Sequence, residues 1–451
     1  MTAADRDRFY AERDRRTRAY NVAGERLNTP VRISVGADAA SSPVGQALAL
    51  NVINMVCRIH RRVELLLPDS ELLVVPLVPS RTLAEAGEAL AVAIDPFIDL
   101  ASSQEATPTL AIGDVAGTYW LGADGYIGHF RDAPTLITSH PASLLGAGMA
   151  ACLGSAALLL AVSGAPVRTR SVSLWGLDNQ PVLAGPAREL GPIDVGERVV
   201  LVGAGAVGSA ILYWLRFLGV TGAWTVVDGD IVKLHNTNRS MGMIAADAGW
   251  RKGVPGGQVA NKAEIGASLI GANPVVGWYD EWVKKLGPRP DLLIPAGGER
   301  NIRQNLGLLG LPLMLQGATS PDWQVQLHRH GPGDSCPACR FPKQPTAEMA
   351  CSTGPLPVDS DSDDEDESTD AALPFLSAAA GLLVVAALTQ LEHGYLTQPV
   401  NQHGLLFGTG TQVDWWNTIA RCRPGCTHRL SLGVRRQINA GRRWSALDNQ
   451  P

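Results

Sequence analysis

Two short cysteine pairs lie towards the end of the chain. Cys336-Pro-Ala-Cys339 and Cys422-Arg-Pro-Gly-Cys426 each bring two thiols within one turn of backbone. Two such pairs are typical of a structural Zn²⁺ held tetrahedrally by four thiolates. The second pair has three intervening residues, which still allows a turn around the metal, and His428 offers a substitute ligand. The pattern therefore predicts a zinc site at these four cysteines, and the alternative is four unrelated thiols.

A glycine-rich loop lies further upstream, between a predicted strand and a predicted helix. Gly203, Gly205 and Gly208 form the pattern G-A-G-A-V-G after the β-branched run 198–202. Glycine lets the backbone turn tightly and approach a phosphate at a helix N-terminus. The next predicted strand ends in Asp228, at a distance along the chain that suits a carboxylate accepting from ribose hydroxyls. By itself this pattern is compatible with NAD, FAD or ATP.

The residues that follow favour a triphosphate over a dinucleotide. Asp230 comes two residues after Asp228, then Asn236-Thr-Asn-Arg239, and later Lys262. Two fixed cations beyond the ribose acid are suited to neutralising a triphosphate. D-x-D followed by N-x-N-R resembles the ThiF/MoeB/ubiquitin-activating family, which uses ATP to activate the C-terminal carboxylate of ubiquitin-fold proteins. The resemblance covers most of residues 198–428. It implies that Asp228 holds the ribose, that Asn236 and Arg239 contact the phosphates, and that Lys262 reaches the α-phosphate region.

The sequence departs from this family in three places. Ser240 stands where the family usually has Gln, and an insertion around residues 250–258 lengthens the path from the arginine to the lysine. The position of the family's metal-binding Asp falls on Gly298. We therefore expect Glu299 or Asp230 to help hold Mg²⁺, and the alternative is weak or altered adenylation.

Cys351 lies apart from the two cysteine pairs. It opens the segment Cys351-Ser-Thr-Gly354, just before residues 359–370, of which eight of twelve are acids. Like charges at that density repel and do not pack. The family often carries a reactive Cys, a small residue and Gly after its first cysteine pair. The resemblance thus implies that Cys351 accepts the acyl group as a thioester, whereas Cys57 and Cys152 sit in apolar helical patterns typical of a core. The alternative for Cys351 is a spare cysteine.

The strands and helices that must position these residues occur twice in the chain. A strand, a glycine-containing loop and an apolar helix begin at Val31 and again at Val199. The apolar helix from His140 is likewise echoed from Leu373. We predict an α/β fold in which two Rossmann-like ThiF-type domains are fused as a pseudo-dimer, the second carrying the zinc site. The predicted domains are 1–190 and 191–451, with a cysteine-bearing acidic crossover loop at about 333–372. The alternative is chance similarity between two α/β domains.

The first domain is predicted to be an inactive copy. Its loop runs from Gly36 to Gly45, and Asp38 falls where the middle glycine would admit a phosphate, so an acid there would repel it. No N-x-N-R follows its second strand. In fused members of the family, an Arg from the N-terminal helix reaches the ATP site of the other half. Within residues 10–16, Arg13 matches that residue best, and the alternative is a solvated basic face.

Composition excludes several classes of protein. The chain is 45% hydrophobic and 18% charged, as folded proteins are, and its 43 acids and 38 bases give no support for nucleic-acid binding. The charged N-terminus lacks an apolar h-region, so we expect no secretory signal. Seven cysteines then indicate a reducing, cytoplasmic compartment. Residues 142–162 are uncharged and long enough to span a membrane, but their small residues favour a buried helix, and no membrane partner is expected.

Together these features predict a single-chain enzyme that adenylates the C-terminal tail of a ubiquitin-like protein with ATP. Cys351 would then form a thioester, for transfer to a conjugating enzyme. The resemblance extends to the fused inactive-plus-active enzymes found in bacterial ubiquitin-like conjugation operons, including antiphage ones. One alternative is a sulfur-carrier-protein adenylyltransferase. Another is a non-catalytic scaffold that binds a ubiquitin-like protein, which Gly298 motivates, and a dehydrogenase is a more distant one.

Overall fold

A computed structural model provides the architecture of most of the chain. It describes residues 2–20, 24–101, 107–175, 193–196, 198–251, 254–284, 289–297, 305–307, 313–320, 322–331, 334–340, 372–393, 401–405, 407, 414–417, 422, 424, 426, 432–441 and 443–444.

The first half is built on a six-stranded sheet, because its short β-branched runs form strands that helices cover. Its elements are α1 (Ala3–Arg13), α2 (Arg15–Arg18), a 3₁₀ turn (Arg26–Asn28), β1 (Val31–Val35), α3 (Ala37–Ala40), α4 (Pro43–Val56), β2 (Val63–Leu66), α5 (Leu83–Ile94), β3 (Thr109–Ile112), β4 (Tyr119–Asp124), β5 (Ile127–Arg131), α6 (Ser143–Val162) and β6 (Arg170–Ser173). The strand order is β2-β1-β3-β4-β5-β6. The first four strands of that order pair in parallel, and β5 and β6 are antiparallel additions.

The second half is built on an eight-stranded sheet. Its elements are β7 (Ile193–Asp194), β8 (Val199–Val202), α7 (Ala206–Leu218), β9 (Val220–Thr221), β10 (Trp224–Asp228), α8 (Leu234–Thr237), a 3₁₀ turn (Ala245–Asp247), β11 (Ala248–Arg251), β12 (Val254–Val259), α9 (Lys262–Ser268), β13 (Asn273–Val276), α10 (Tyr279–Lys284), β14 (Leu292–Pro295), β15 (Leu313–Thr319), β16 (Val325–His330), β17 (Asn401–Leu405), β18 (Asp414–Asn417) and the later helices Pro337–Arg340, Pro374–Glu392 and Leu432–Asn439. The order of the large sheet is β13-β10-β8-β14-β15-β16-β17-β18.

The strand order of the first sheet recurs inside the second. When β1 is matched to β8, β2 matches β10 and β3 matches β14, all parallel to their neighbours. The next strand, β4 or β15, is also parallel, and the one after it is antiparallel in both sheets. The second sheet adds β13 at one edge and β18 at the other. These findings confirm the predicted α/β architecture with parallel sheets, while the predicted boundary near residue 190 lies outside the described residues.

Two long apolar helices pack against each other where the halves meet. Both α6 and the helix Pro374–Glu392 are long and apolar enough to cross a membrane, but 89% and 100% of their most apolar windows are buried inside the protein. A Cβ placed on Gly148 would lie 3.2 Å from side-chain atoms of Leu382 and Trp214, so small residues permit this close approach. The expected burial of 142–162 is thus confirmed, and one hydrophobic core runs through both halves.

Polar side chains also cross between the halves. The Tyr213 hydroxyl donates to the amide oxygen of Asn51 at 2.8 Å. The Gln390 amide nitrogen donates to the backbone oxygen of Leu174 at 2.8 Å. All four residues lie in or beside helices of the shared core, so these bonds fix how the core helices are aligned.

Candidate nucleotide site and cysteine cluster

The glycine-rich loop joins β8 to the first turn of α7. Gly203 has a φ of +94°, and a Cβ placed there would lie 2.6 Å from the backbone nitrogen of Gly297. A Cβ on Gly208 would lie 1.9 Å from the Gly203 oxygen, so only glycine lets the helix approach the loop. A Cβ on Gly205 would meet no atom within 4 Å. Two of the glycines therefore shape the turn, and the third leaves the backbone open to a ligand at the N-terminus of α7.

Asp228 ends β10 and is fixed against this loop. Its Oδ2 accepts a hydrogen bond from the Ala204 N–H at 2.7 Å, and its Oδ1 accepts one from the Asp230 N–H at 2.9 Å. Burial raises the pKa of Asp228, although these N–H groups and the Lys262 ammonium oppose the shift. The carboxylate retains unused lone pairs on both oxygens, which is the geometry that a ribose-binding acid requires.

Lys262 and Asp230 form an ion pair beside Asp228. The Lys262 Nζ lies 2.8 Å from Oδ2 of Asp230, whose side chain is 49% exposed, while the lysine side chain is 10% exposed. Asn261 holds the pair in place, since its side chain caps α9 and donates to the Asp230 backbone oxygen. A half-exposed pair of this kind is worth about 1 kcal/mol or less. A polyphosphate can therefore compete with Asp230 for the ammonium.

The N-x-N-R motif forms α8 and the turn that follows it. Asn236 is buried, and its Oδ1 accepts from the Lys233 N–H at 2.8 Å, so it caps the helix. Its amide nitrogen is thus the group that would donate a hydrogen bond to a phosphate. Arg239 is half-buried, and its Nη1 donates to the His235 backbone oxygen at 3.0 Å. This bond restricts the orientation of the guanidinium.

The structure places Arg13, the arginine predicted to reach the nucleotide, in ion pairs within its own half. Its guanidinium is fully buried in the first half, with Nε 2.6 Å from Oδ1 of Asp14 and Nη1 2.5 Å from Oδ2 of Asp95. Burial opposes the charge, but the two acids outweigh that effect and raise the pKa of Arg13. Moving the guanidinium would break two buried ion pairs, and only Asp14 would keep a cation, that of Arg61. Arg13 is therefore a structural residue of its own half.

The next turn of the same segment comes closer to the motif. Arg15 is exposed and Arg16 is half-buried on α2, which starts after Asp14 ends α1. Burial, followed by the positive charges of Arg239 and Arg16 and, more weakly, of Arg15, lowers the pKa of His235 to about 3. Arg15 and Arg16 therefore lie near His235, one helical turn before Arg239.

The insertion around residues 250–258 provides a surface on which α1 packs. The ring of Phe9 lies 5.2 Å from the ring of Trp250 and 5.3 Å from that of Phe97. Phe9 also packs with Leu234 at the start of α8. The N-terminal helix is thus attached to the second half beside the N-x-N-R motif.

In the first half, the loop after β1 is filled by its own acid. Oδ1 of Asp38 accepts from the Asp114 N–H at 3.0 Å, and Cβ atoms on Gly36 or Gly113 would lie 2.4 Å from that oxygen. The carboxylate thus takes the space in front of the strand end where a phosphate would bind. This geometry agrees with the prediction that the first half does not bind ATP, which remains a prediction.

The two cysteine pairs come together as the spacing predicts. The four Sγ atoms, those of Cys336, Cys339, Cys422 and Cys426, all lie within 4.8 Å of one another. The Cys336 and Cys426 sulfurs are 3.6 Å apart, and those of Cys339 and Cys426 are 3.4 Å apart. A tetrahedral zinc ion with Zn–S bonds of about 2.3 Å places its sulfurs roughly 3.8 Å apart. The cluster therefore fits a metal such as Zn²⁺.

The surroundings of these sulfurs support the same fit. The Cys336 N–H donates to Sγ of Cys422 at 3.1 Å, as backbone amides do around metal-bound thiolates. Burial, with the neighbouring thiols of Cys426 and Cys422, raises the pKa of Cys336. Four clustered thiolates would need a cation to be stable, which a bound metal would supply.

Comparison with known proteins identifies the second half. Residues 195–419 match the profile of the ThiF family. The second half is a ThiF-family domain. Residues 30–176 of the first half match the BilD N-terminal domain.

Relatives of the whole chain are distant. The curated protein y4jF of Sinorhizobium fredii, described as uncharacterized, is 25% identical over 330 residues, which are 69% of this chain and 60% of y4jF. The chain thus spans less than two thirds of that relative. Escherichia coli MccB, solved with AMPCPP and MccA, has a TM-score of 0.38 and 13% identity over 68% of this chain and 97% of MccB. Another MccB structure, with MccA-N7isoAsn, has a TM-score of 0.37 and 16% identity over 51% of this chain and 66% of MccB.

Within the ThiF-family domain, the glycine loop, Asp228, Asp230 and Lys262 form one cluster of interacting residues. Several predicted site residues lie outside the described residues. These are the thiol Cys351, the metal-site positions Gly298 and Glu299, the spare ligand His428 and the acidic run 359–370.

Proposed function

We propose that this protein is an ATP-dependent activating enzyme for a ubiquitin-like protein. The observation that carries the proposal is Asp228, a half-buried carboxylate fixed against the glycine loop of a ThiF-family domain, with the Lys262 ammonium beside it. A carboxylate for ribose, open backbone at a helix N-terminus and two cations are the parts that bind ATP. In this proposal the two halves act as a pseudo-dimer in which only the second binds nucleotide.

The first reaction is adenylation. The C-terminal carboxylate oxygen of the partner attacks the α-phosphorus, the bond to the β-phosphate oxygen breaks, and pyrophosphate leaves. Lys262 passes from Asp230 to the α-phosphate region, and Arg239 neutralises charge on the leaving phosphates. The release of Asp230 from the lysine leaves a half-exposed carboxylate that fits Mg²⁺, which prefers oxygen ligands. Bound Mg²⁺ would supply further neutralisation of phosphate charge, and Glu299 is the other acid proposed to hold it.

The second reaction forms a thioester on Cys351. The sulfur attacks the acyl carbonyl, the bond between that carbon and the AMP oxygen breaks, and the thiol proton passes to solvent. The proposed role of the zinc cluster is structural, joining the start and the end of the segment that carries Cys351. The acyl group then passes to a conjugating enzyme, and the proposed setting is a bacterial ubiquitin-like conjugation operon, including antiphage ones. None of the six cysteines that the structure describes forms a disulfide, and the proposed compartment is the cytoplasm.

The decisive experiment combines the protein, ATP-Mg²⁺ and the ubiquitin-fold protein from its own operon. We expect partner-dependent exchange of pyrophosphate into ATP, together with an adduct seen on non-reducing gels and lost on reducing ones. Robust exchange without any adduct would favour a sulfur-carrier adenylyltransferase, in which the adenylate is thiocarboxylated. Partner binding with no exchange would instead support the non-catalytic scaffold.

A further inference from the structure

A buried arginine of the first half binds the backbone of the second. Arg58 follows α4 and is fully buried. Its Nη1 donates to the Met243 oxygen at 2.9 Å and also to the Thr237 oxygen, and its Nη2 donates to the Met241 oxygen at 3.0 Å. The third guanidinium nitrogen, Nε, donates to Oδ1 of Asn54 at 2.8 Å.

No carboxylate forms a direct ion pair with this charge. Among the ion pairs in the described part of the chain, none includes Arg58. Burial lowers its pKa to about 9, although the charge of Asp247 opposes the shift, so the guanidinium is still charged at neutral pH. A buried charge without a direct ion pair is costly, and an apolar side chain would fill the same space without that cost. The contribution of Arg58 is therefore its hydrogen bonds to the three backbone carbonyls.

The carbonyls that Arg58 binds lie within the N-x-N-R motif and just after it. Thr237 is the second residue of the motif, and Met241 and Met243 follow its end. Asn54 adds a second contact, since its Nδ2 donates to the Met241 oxygen at 3.1 Å. From the other side, the Gly242 N–H donates to the hydroxyl of Ser209 on α7 at 3.0 Å. The backbone on both sides of Arg239 is thus fixed by side chains of two different helices, one from each half.

We infer that Arg58 is a positioning residue, which fixes residues 237–243 so that the Arg239 guanidinium faces the phosphates of ATP. This inference rests on the proposed function. A half that is predicted not to bind ATP itself thereby completes the ATP site of the other half. Because three backbone oxygens are bound by one planar fork, the segment cannot rotate without breaking several bonds at once.

The test compares two ligands that differ only in phosphate. We would measure binding of ATP and of adenosine to the full-length wild type, Arg58→Gln and Arg58→Lys, together with ATP–pyrophosphate exchange. The expected result for Arg58→Gln is an ATP affinity lower by about 10- to 100-fold, as for a misplaced phosphate contact. Adenosine affinity should stay within about twofold, because Asp228 is held by other bonds. Arg58→Lys keeps the charge but not the fork, so its loss should be smaller.

Ile53→Val is the matched control. Ile53 is fully buried on the same helix, and the change removes one methylene from the core without touching residues 237–243. It should lower the melting temperature and leave the ratio of ATP to adenosine affinity unchanged. If Arg58→Gln does not fold, Asn54→Ala must lower ATP affinity without lowering adenosine affinity, by a smaller factor.

The outcomes separate this inference from the proposed function. If the wild type binds no ATP, the proposed function fails. If the wild type binds and exchanges ATP but the Arg58 variants behave like Ile53→Val, or lose both ligands equally, Arg58 is a structural residue only.

Discussion

The side-chain amide of Asn238 donates a hydrogen bond to the hydroxyl oxygen of Thr17, 221 positions earlier in the chain, at 2.9 Å. Both residues are fully buried. Thr17 lies on α2 and Asn238 lies inside the N-x-N-R motif. The bond therefore fixes the register between the N-terminal segment and the candidate phosphate site, and it brings Arg15 and Arg16 to the same edge.

We predict that Arg16, and not Arg13, lends positive charge to the nucleotide. Arg16→Ala should lower partner-dependent ATP–pyrophosphate exchange by about 10²-fold, as for loss of a key electrostatic group, and Arg15→Ala should have a smaller effect. Arg18→Ala is the matched control, because Arg18 is on the same helix but is exposed and donates back to the Ala11 oxygen. Equal effects of Arg16→Ala and Arg18→Ala would contradict the assignment.

Nucleotide should bind in the second half alone. Asp228→Ala removes the carboxylate fixed at the glycine loop and should abolish ATP binding in calorimetry. Asp38→Ala should leave it intact, because Asp38 bonds to the Asp114 backbone in the first half. Loss of ATP binding in Asp38→Ala, or nucleotide found against Gly36, would show the assignment of the halves to be wrong.

The cysteine cluster should hold about one Zn²⁺ per chain. Cys336→Ser should lose the metal and lower the melting temperature together, because the four sulfurs join segments on either side of the long stretch 341–371. Elemental analysis and thermal unfolding of the wild type and the variant provide the check. A metal-free wild type that folds normally would refute the site. Cys152→Ser serves as the control, since that thiol is buried in α6, away from the cluster.

Cys351→Ala should separate the two proposed reactions. Adenylation does not use the thiol, so pyrophosphate exchange should be largely intact, whereas the reductant-sensitive adduct with the ubiquitin-like protein should disappear. The neighbouring acids of 359–370 would tend to raise the thiol pKa, so reactivity should depend on proximity to the adenylate. An adduct that persists in Cys351→Ala would assign the nucleophile elsewhere.

Stability should fall on mild acidification because of His60. This side chain is fully buried, and neither ring nitrogen has a hydrogen-bond partner among the described residues. Burial, with the Arg13 charge, lowers its pKa to about 3. The unfolded chain titrates near 6.5, so below that pH it gains a proton that the folded state excludes. Between pH 7.5 and 5.5 the free energy of unfolding should fall by about 1.4 kcal/mol from this group. His60→Leu should remove that part of the pH dependence. The prediction is wrong if urea titrations show the same change of unfolding free energy with pH in this variant as in the wild type.

Features set by local spacing could be read from the sequence. The glycine pattern 203–208 predicts the loop, because the positive φ of Gly203 and the tight packing at Gly208 exclude side chains. The cysteine cluster is predicted because each short cysteine pair forms a turn. The repeated strand–loop–helix pattern from Val31 and from Val199 was also readable, since each run of β-branched residues is followed by an apolar helix. These are properties that a few neighbouring residues determine.

Features set by tertiary partners could not be read in this way. Arg13 and Arg16 differ by only three positions, and what separates them is Asp95, a buried acid supplied by the end of α5. Arg58 carried no signal at all, because its acceptors are backbone oxygens, which every residue has. The burial of residues 142–162 was expected from their small residues, but its dependence on a helix more than two hundred residues later was not.

That last dependence has a consequence for how the protein is made. On the ribosome, α6 emerges long before the helix Pro374–Glu392 that covers part of it. At about 5–20 residues per second, the gap of some two hundred residues lasts roughly 10–40 s. During that time α4, β4 and β5 can already cover much of α6, but the face that packs on the later helix stays uncovered, on a helix with the length and composition of a membrane anchor. A ribosome stalled between the two helices would therefore present a substrate for chaperones and for membrane targeting, and either half produced alone would carry an uncovered apolar face.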